Sequence, residues 1–127
     1  MRAVDTNVLV RLSVGGDPAQ VAAAEKFIKA GAWASTAAVI EAVWVLAKVY
    51  QFSAMDLCKA IEMLLNNPIL VLQDPDAVTE ALELFRARPA LGFTDCVLLE
   101  LARKAGHLPF GTFDRKLARV DGAQQIL

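Results

Sequence analysis

Apolar positions along the chain switch repeatedly between short runs and helical spacing. Arg2 to Asp5 is brief, ends in an acid and reads as a first strand. Thr6-Asn7 then supplies a cap for a short apolar helix from Val8 to Val14, broken by Gly15-Gly16. Asp17-Pro18 pairs a capping oxygen with a residue suited to the first helical position, and this helix runs to about Ala30, where Gly31 takes the left-handed turn. Ala32 to Ser35 reads as a strand and Ala37 to Tyr50 as a third helix. Ser53-Ala54-Met55-Asp56 is a capping box with Asp in the place of Glu; its helix runs to about Leu65 and stops at Asn66-Asn67-Pro68.

The run from Ile69 to Leu72 is continuously apolar, the pattern of a buried strand. Asp74-Pro75 repeats the cap-then-proline start, and that helix ends before Pro89. Thr94-Asp95 opens another, closed by Gly106. Leu108 to Thr112 reads as a strand, Arg115 to Arg119 as a short basic helix, and Gln125 to Leu127 as a last edge strand. Strands separated by helices pair in parallel, because the helix is the crossover. The expected fold is therefore α/β: one open sandwich over residues 1–127, with a parallel sheet of about four to five strands flanked by helices. No repeat, linker or low-complexity segment interrupts it.

Composition narrows the function. Apolar residues make up 56% of the 127 residues, enough to build a core and incompatible with intrinsic disorder. The net charge of −1 gives no global basic field, so nucleic-acid contact requires a local patch. Cys58 and Cys96 have no CxxC partner, and His107 is the single histidine. Disulfide scaffolds, cysteine-based zinc sites and histidine-rich metal centres are excluded. No stretch has the ~20 apolar residues of a membrane span, and the N-terminal residues lack the pattern of a secretory leader. A cytoplasmic location is expected, with free thiols kept reduced.

Most of the acids have ordinary explanations. Asp17 and Asp74 precede helix-starting prolines, Glu25 and Glu62 have lysines at helical spacing, and Glu80, Glu83 and Glu100 lie among arginines and lysines on solvated faces. Four do not sort this way. Asp5 ends the first strand, where ligands bind in open α/β sheets. Glu41 lies in a helix apolar on nearly all sides, which implies burial without a local cation. Asp95 precedes Cys96-Val97-Leu98-Leu99, and Asp114 follows the strand containing Thr112. Asp95 and Asp114 also suit helix N-termini, and the ordinary reading of a buried Glu41 is a protonated core residue. If the four converge on one sheet edge, a divalent cation is the ordinary solution to their repulsion, and an all-oxygen donor set favours Mg²⁺ or Mn²⁺.

At these positions the sequence resembles the PIN-domain ribonucleases, and most closely the VapC-like toxins of toxin–antitoxin pairs. Asp5-Thr6-Asn7-Val8-Leu9-Val10-Arg11 carries the resemblance first, then Ile40-Glu41-Ala42-Val43-Trp44-Val45-Leu46. Phe93-Thr94-Asp95-Cys96 and Thr112-Phe113-Asp114-Arg115-Lys116-Leu117 complete it. The resemblance implies a metal-dependent endoribonuclease whose acidic metal pocket is Asp5, Glu41, Asp95 and Asp114, supported by Asn7 and Thr112. It also implies RNA as substrate, a homodimer, and a small cognate antitoxin as partner.

With no serine, cysteine or histidine nucleophile in view, the attacking group is water activated by metal. Arg11, Arg86, Arg88, Arg115, Lys116 and Arg119 are the candidate RNA contacts, with Arg115 and Lys116 best placed, whereas Arg86 and Arg88 read as solvated surface. Trp33 and Trp44 read as core, and His107 as a helix C-terminal residue. Aspartate-nucleophile phosphatases also place an Asp at the end of the first strand, but need a second Asp where this chain has Asn7. Receiver domains need paired early acids and a late Lys that Lys116 does not match in position. A PIN nuclease of RNA processing and a catalytically inactive PIN-like interaction module are the other readings.

Overall fold

The computed structural model describes Met1–Leu127, which divide into two compact units, Met1–Pro75 and Asp76–Leu127. The first contains β1 (Arg2–Ala3), α1 (Thr6–Val14), α2 (Pro18–Ile28), β2 (Ala32–Ala34), α3 (Thr36–Lys48), α4 (Ala54–Asn66) and β3 (Leu70–Leu72). The strands form one parallel sheet in the order β1-β2-β3, with Arg2 opposite Ala32 and Trp33 opposite Val71. The alternation is sharp in β2 and β3: Ala32, Ala34, Leu70 and Leu72 are buried, and Val71 between the last two is exposed.

Local capping explains where the helices begin. Asp17 Oδ1 accepts the Ala19 N–H at 2.9 Å, and Pro18 follows at the first helical position. Ser53 Oγ accepts the Asp56 N–H at 3.1 Å while Asp56 Oδ2 accepts the Ser53 N–H at 3.4 Å, a complete capping box. The core of this unit is built from Leu9 and Val10 of α1, Val39, Ala42, Val43 and Leu46 of α3, and Leu57, Ile61 and Leu64 of α4. Burying these side chains is worth roughly 1.5–3 kcal/mol for each larger aliphatic group.

The second unit contains α5 (Pro75–Ala87, of which Pro75 closes the first unit), a 3-10 turn (Pro89–Leu91), α6 (Phe93–Ala105), β4 (Phe110–Thr112), a second 3-10 turn (Leu117–Arg119) and β5 (Ala123–Gln125). β4 and β5 pair in parallel, Phe110 with Ala123 and Thr112 with Gln125. Ala77, Val78, Ala81, Leu82 and Phe85 form the buried stripe of α5, and Phe85 meets Phe93 edge to face with ring centroids 5.9 Å apart. Gly106, at φ 82°, closes α6 in the left-handed conformation that glycine adopts without a Cβ penalty.

Five strands, all paired in parallel, agree with the expected number, but their ladders are separate sheets of three and two. The last two elements also shift. β4 starts at Phe110, leaving Leu108 and Pro109 outside it, and β5 covers Ala123–Gln125 rather than the final residues. The basic helix expected from Arg115 is the 3-10 turn Leu117–Arg119, anchored by buried Leu117. No helix is long and apolar enough to cross a membrane.

Candidate functional site

In the first unit, the Val4 N–H donates to Trp33 O at 2.9 Å, and the chain leaves the sheet at Asp5. Asp5, not the Thr6-Asn7 pair, is the N-cap of α1: its Oδ1 accepts the Val8 N–H at 3.2 Å. The displacement has a simple cause. An extended acid next to the strand already offers an oxygen to the first turn, so Thr6 and Asn7 enter the helix. Thr6 Oγ1 instead donates to Ala38 O at 3.3 Å, joining the first turn of α1 to that of α3. Ser35 caps α3, accepting the Ala38 N–H at 3.1 Å. Glu41 stands one helical turn beyond Ala38, so the Thr6–Ala38 bond sets the end of this unit that carries both Asp5 and Glu41.

Glu41 is exposed, not buried among apolar residues. The buried stripe of α3 is Val39, Ala42, Val43 and Leu46, and Glu41 lies on the other side with Ala37, Trp44 and Lys48, all exposed. Apolar residues on two faces of α3 gave the appearance of a helix covered all round. Trp44, expected in the core, is 56% exposed on this face, while Trp33 is half-buried in β2. The Glu41 carboxyl is therefore accessible to a ligand from solvent.

In the second unit, Gly92 at φ 81° precedes α6 and offers no side-chain cap, which leaves Asp95 as the acid of the first turn. Asp95 is half-buried between buried Phe93 and Cys96. Burial first, and then the nearby negative charge of Asp114, hold its carboxyl above the ordinary value of 3.8. Asp114 is held by the backbone on both sides. Its Oδ1 accepts the Lys116 N–H at 2.8 Å and the Leu117 N–H at 3.2 Å, and its own N–H donates to Thr112 Oγ1 at 3.0 Å. Thr112 thus fixes the backbone from which Asp114 projects.

The remaining candidates are placed as follows. Asn7 is exposed in the first turn of α1 and, with Val8, Arg11 and Phe27, lines a depression between α1 and α2. Arg11 is engaged within its unit: one guanidinium nitrogen donates to Gly15 O at 3.1 Å, and another to the Tyr50 hydroxyl. Arg115 and Lys116 are exposed beside Asp114. His107 is exposed just past Gly106, and its N–H donates to Ala102 O at 2.9 Å, a helix-terminal role. Glu100 departs from its expected solvated face. It is buried and meets Arg103 Nε at 3.0 Å, and Arg103 also donates to Asp121 O at 2.6 Å.

No group of three or more His, Cys, Asp or Glu side chains gathers within either unit. Asp95 and Asp114 stand close enough to interact electrostatically, and Asp5 and Glu41 belong to the first unit. Asp5 and Asp114 share one arrangement: Oδ1 accepts backbone N–H groups, which orients the carboxylate and leaves Oδ2 for another ligand. Oriented carboxylate oxygens with no sulfur or imidazole beside them fit a hard divalent cation. A cation would also offset the repulsion between Asp95 and Asp114.

A family model described as PIN domain matches residues 2–123, nearly the whole chain and both compact units. No curated protein matches the chain.

Proposed function

The chain belongs to the PIN-domain family, whose fold is that of generally metal-dependent nucleases, and from that premise we propose that it is an endoribonuclease acting as the VapC-like toxin of a toxin–antitoxin pair. Asp5, Glu41, Asp95 and Asp114 are its metal ligands, with Mg²⁺ or Mn²⁺ as the ion. The observation that carries the reading is the pair in the second unit. Asp95 sits half-buried under the negative charge of Asp114, and neither carboxylate has an ion-pair partner. An acid kept only to stabilise a helix start is better placed exposed, or beside a base.

When bound, the cation supplies Lewis-acid stabilisation of the charge that builds on a phosphodiester and lowers the pKa of attacking water. The chain's own contribution is orientation. Asp5 is fixed by the first turn of α1, and Asp114 by its own N–H donating to Thr112 Oγ1 and by the N–H groups of Lys116 and Leu117 that its Oδ1 accepts. Asp95 offers a half-buried carboxyl beside Asp114. Arg115 and Lys116 offer positive charge to the RNA backbone beside Asp114. Arg11, committed to Gly15 and Tyr50, shapes the C-terminal end of α1 and acts on RNA only through that part of the fold. A small antitoxin and a second copy of the chain are the proposed partners, and the cytoplasm the proposed location.

Purified protein incubated with a mixed RNA pool in Mg²⁺, Mn²⁺ or EDTA tests the activity. Metal-dependent cutting that disappears in Asp95→Asn supports it. A folded protein that binds Mn²⁺ and leaves every RNA intact contradicts it. Induced expression tests the toxin role: growth arrest by the wild type but not by Asp95→Asn is expected, and unaffected growth with active enzyme points to an RNA-processing nuclease instead.

A further inference from the structure

The second unit contains a cleft of about 500 Å³ lined by Arg88, Pro89, Ala90, Leu91, Lys116 and Arg119. Half of its lining residues are cationic and none is acidic. That concentration is unusual in a chain with net charge −1. The three charged side chains are exposed, and none takes part in an ion pair. Three other cations of this unit are matched, Arg86 with Glu83, Arg103 with Glu100 and Lys104 with Asp76, while Arg115 is exposed next to Lys116 and outside these pairs. Unmatched like charges around a concavity repel one another, and their geometry is relieved when an anion enters.

The cleft is fixed by backbone structure on both sides. Arg88 leads into the 3-10 turn Pro89–Leu91, where the Leu91 N–H donates to Arg88 O at 3.1 Å. Lys116 precedes and Arg119 ends the second 3-10 turn, which buried Leu117 anchors. Lys116 is tied directly to a candidate metal ligand, because its N–H donates to Asp114 Oδ1 at 2.8 Å. One wall of the cleft is therefore fixed to the backbone next to Asp114.

We propose that Arg88, Lys116 and Arg119 form a phosphate-binding cleft that holds a single RNA strand beside Asp114, with Pro89 and Ala90 as its apolar wall. The inference rests on the nuclease reading and assigns its substrate contacts. It gives Arg88 a function that its sequence context, among surface helix charges, did not signal. The partner is RNA rather than an acidic protein segment because the cleft is joined to Asp114 and its walls carry no aromatic or large exposed apolar anchor.

The test is equilibrium binding of a fluorescein-labelled single-stranded RNA in EDTA, where no cleavage occurs, for the wild type and for Arg88→Ala, Lys116→Ala, Arg119→Ala and their combination. Lys29→Ala, in the first unit, is the surface-charge control, and circular dichroism checks each fold. Each phosphate contact to a single strand contributes about 0.7 to the slope of log K against log salt. The triple variant is expected to bind roughly tenfold or more weakly and to lose about 2 from that slope, with Lys29→Ala unchanged. A triple variant that binds RNA as the wild type does overturns the proposal, as does a wild type that binds no RNA. A polyglutamate peptide of equal charge is run beside the RNA; loss of peptide binding alone also overturns it, in favour of an acidic protein partner. Cleavage of the same RNA in Mn²⁺ separates the two readings. Cutting with unchanged binding removes the cleft and keeps the nuclease, whereas cleft-dependent binding without any cutting does the reverse.

Discussion

Asp5 carries two roles that substitution separates. Its Oδ1 caps α1 through the Val8 N–H at 3.2 Å, and its free oxygen is proposed to bind metal. Asp5→Ala removes the cap, at about 1 kcal/mol, and the favourable charge at the helix N-terminus, at about 0.3–1 kcal/mol. Asp5→Asn removes only the charge, because Asn caps as well as Asp. A change of 1 kcal/mol shifts the melting temperature of a domain this size by roughly 4 °C. Without metal, Asp5→Ala is expected to melt about 5–8 °C below the wild type and Asp5→Asn about 1–4 °C below it. Metal reverses the ranking of what matters. At about a hundred times its dissociation constant, Mn²⁺ stabilises the wild type by about 2.7 kcal/mol, roughly 10 °C, and neither variant gains comparably. Thermal melts with Mn²⁺ and with EDTA give all six values. If Asp5→Asn falls as far as Asp5→Ala, the charge is structural. If Asp5→Asn keeps the full Mn²⁺ upshift, Asp5 is not a ligand.

Three further outcomes follow from the second unit. The raised pKa of Asp95 means that the folded state disfavours its charge; this penalty is fully present above the raised value and vanishes below the ordinary 3.8. Asp95→Asn should therefore stabilise the metal-free protein at neutral pH, with the difference closing in acid; urea melts across pH that show it destabilised at neutral pH contradict this. Burial, aided by the charges of Asp95 and Glu100, pushes the Cys96 thiol up to about 12. It should resist iodoacetamide at about pH 8 in the native state and react on unfolding, and rapid native labelling of Cys96 by peptide mass refutes the burial. Glu100→Ala leaves Arg103 without its 3.0 Å partner and should cost about 1–3 kcal/mol in urea melts, against a near-zero change if the pair is an ordinary surface contact.

How much of this was legible in the sequence depended on range. Asp17-Pro18, the Ser53–Asp56 box and Gly106 act through bonds within one helical turn, and each appears where local chemistry places it. The continuous run before Gln73 became the buried alternation of Leu70 and Leu72. The candidate acids were legible as residue types in order, and Asp5 and Asp114 stand at strand ends as expected. Their orienting bonds were not foreseen at Asp5, where a one-residue shift made the acid itself the cap. Errors arose where a neighbouring element decides which face is covered. Helical spacing gives α3 two apolar faces, Val39–Ala42–Val43–Leu46 and Ala37–Trp44, and only packing against α1 and α4 selects the first. Arg11 finds Tyr50 39 positions away, and Arg103 reaches Asp121 across 18, so neither bond has a local signal.

The central proposal is that Asp5, Glu41, Asp95 and Asp114 are each ligands to divalent metal. Mn²⁺ titration followed by electron paramagnetic resonance, on the wild type and on Asp5→Asn, Glu41→Gln, Asp95→Asn and Asp114→Asn, measures it without requiring the right RNA. The expected result is saturable binding by the wild type that weakens in every variant, by tenfold or more where two hard ligands hold one ion. Wild-type affinity retained in all four, with each variant folded, would contradict the claim.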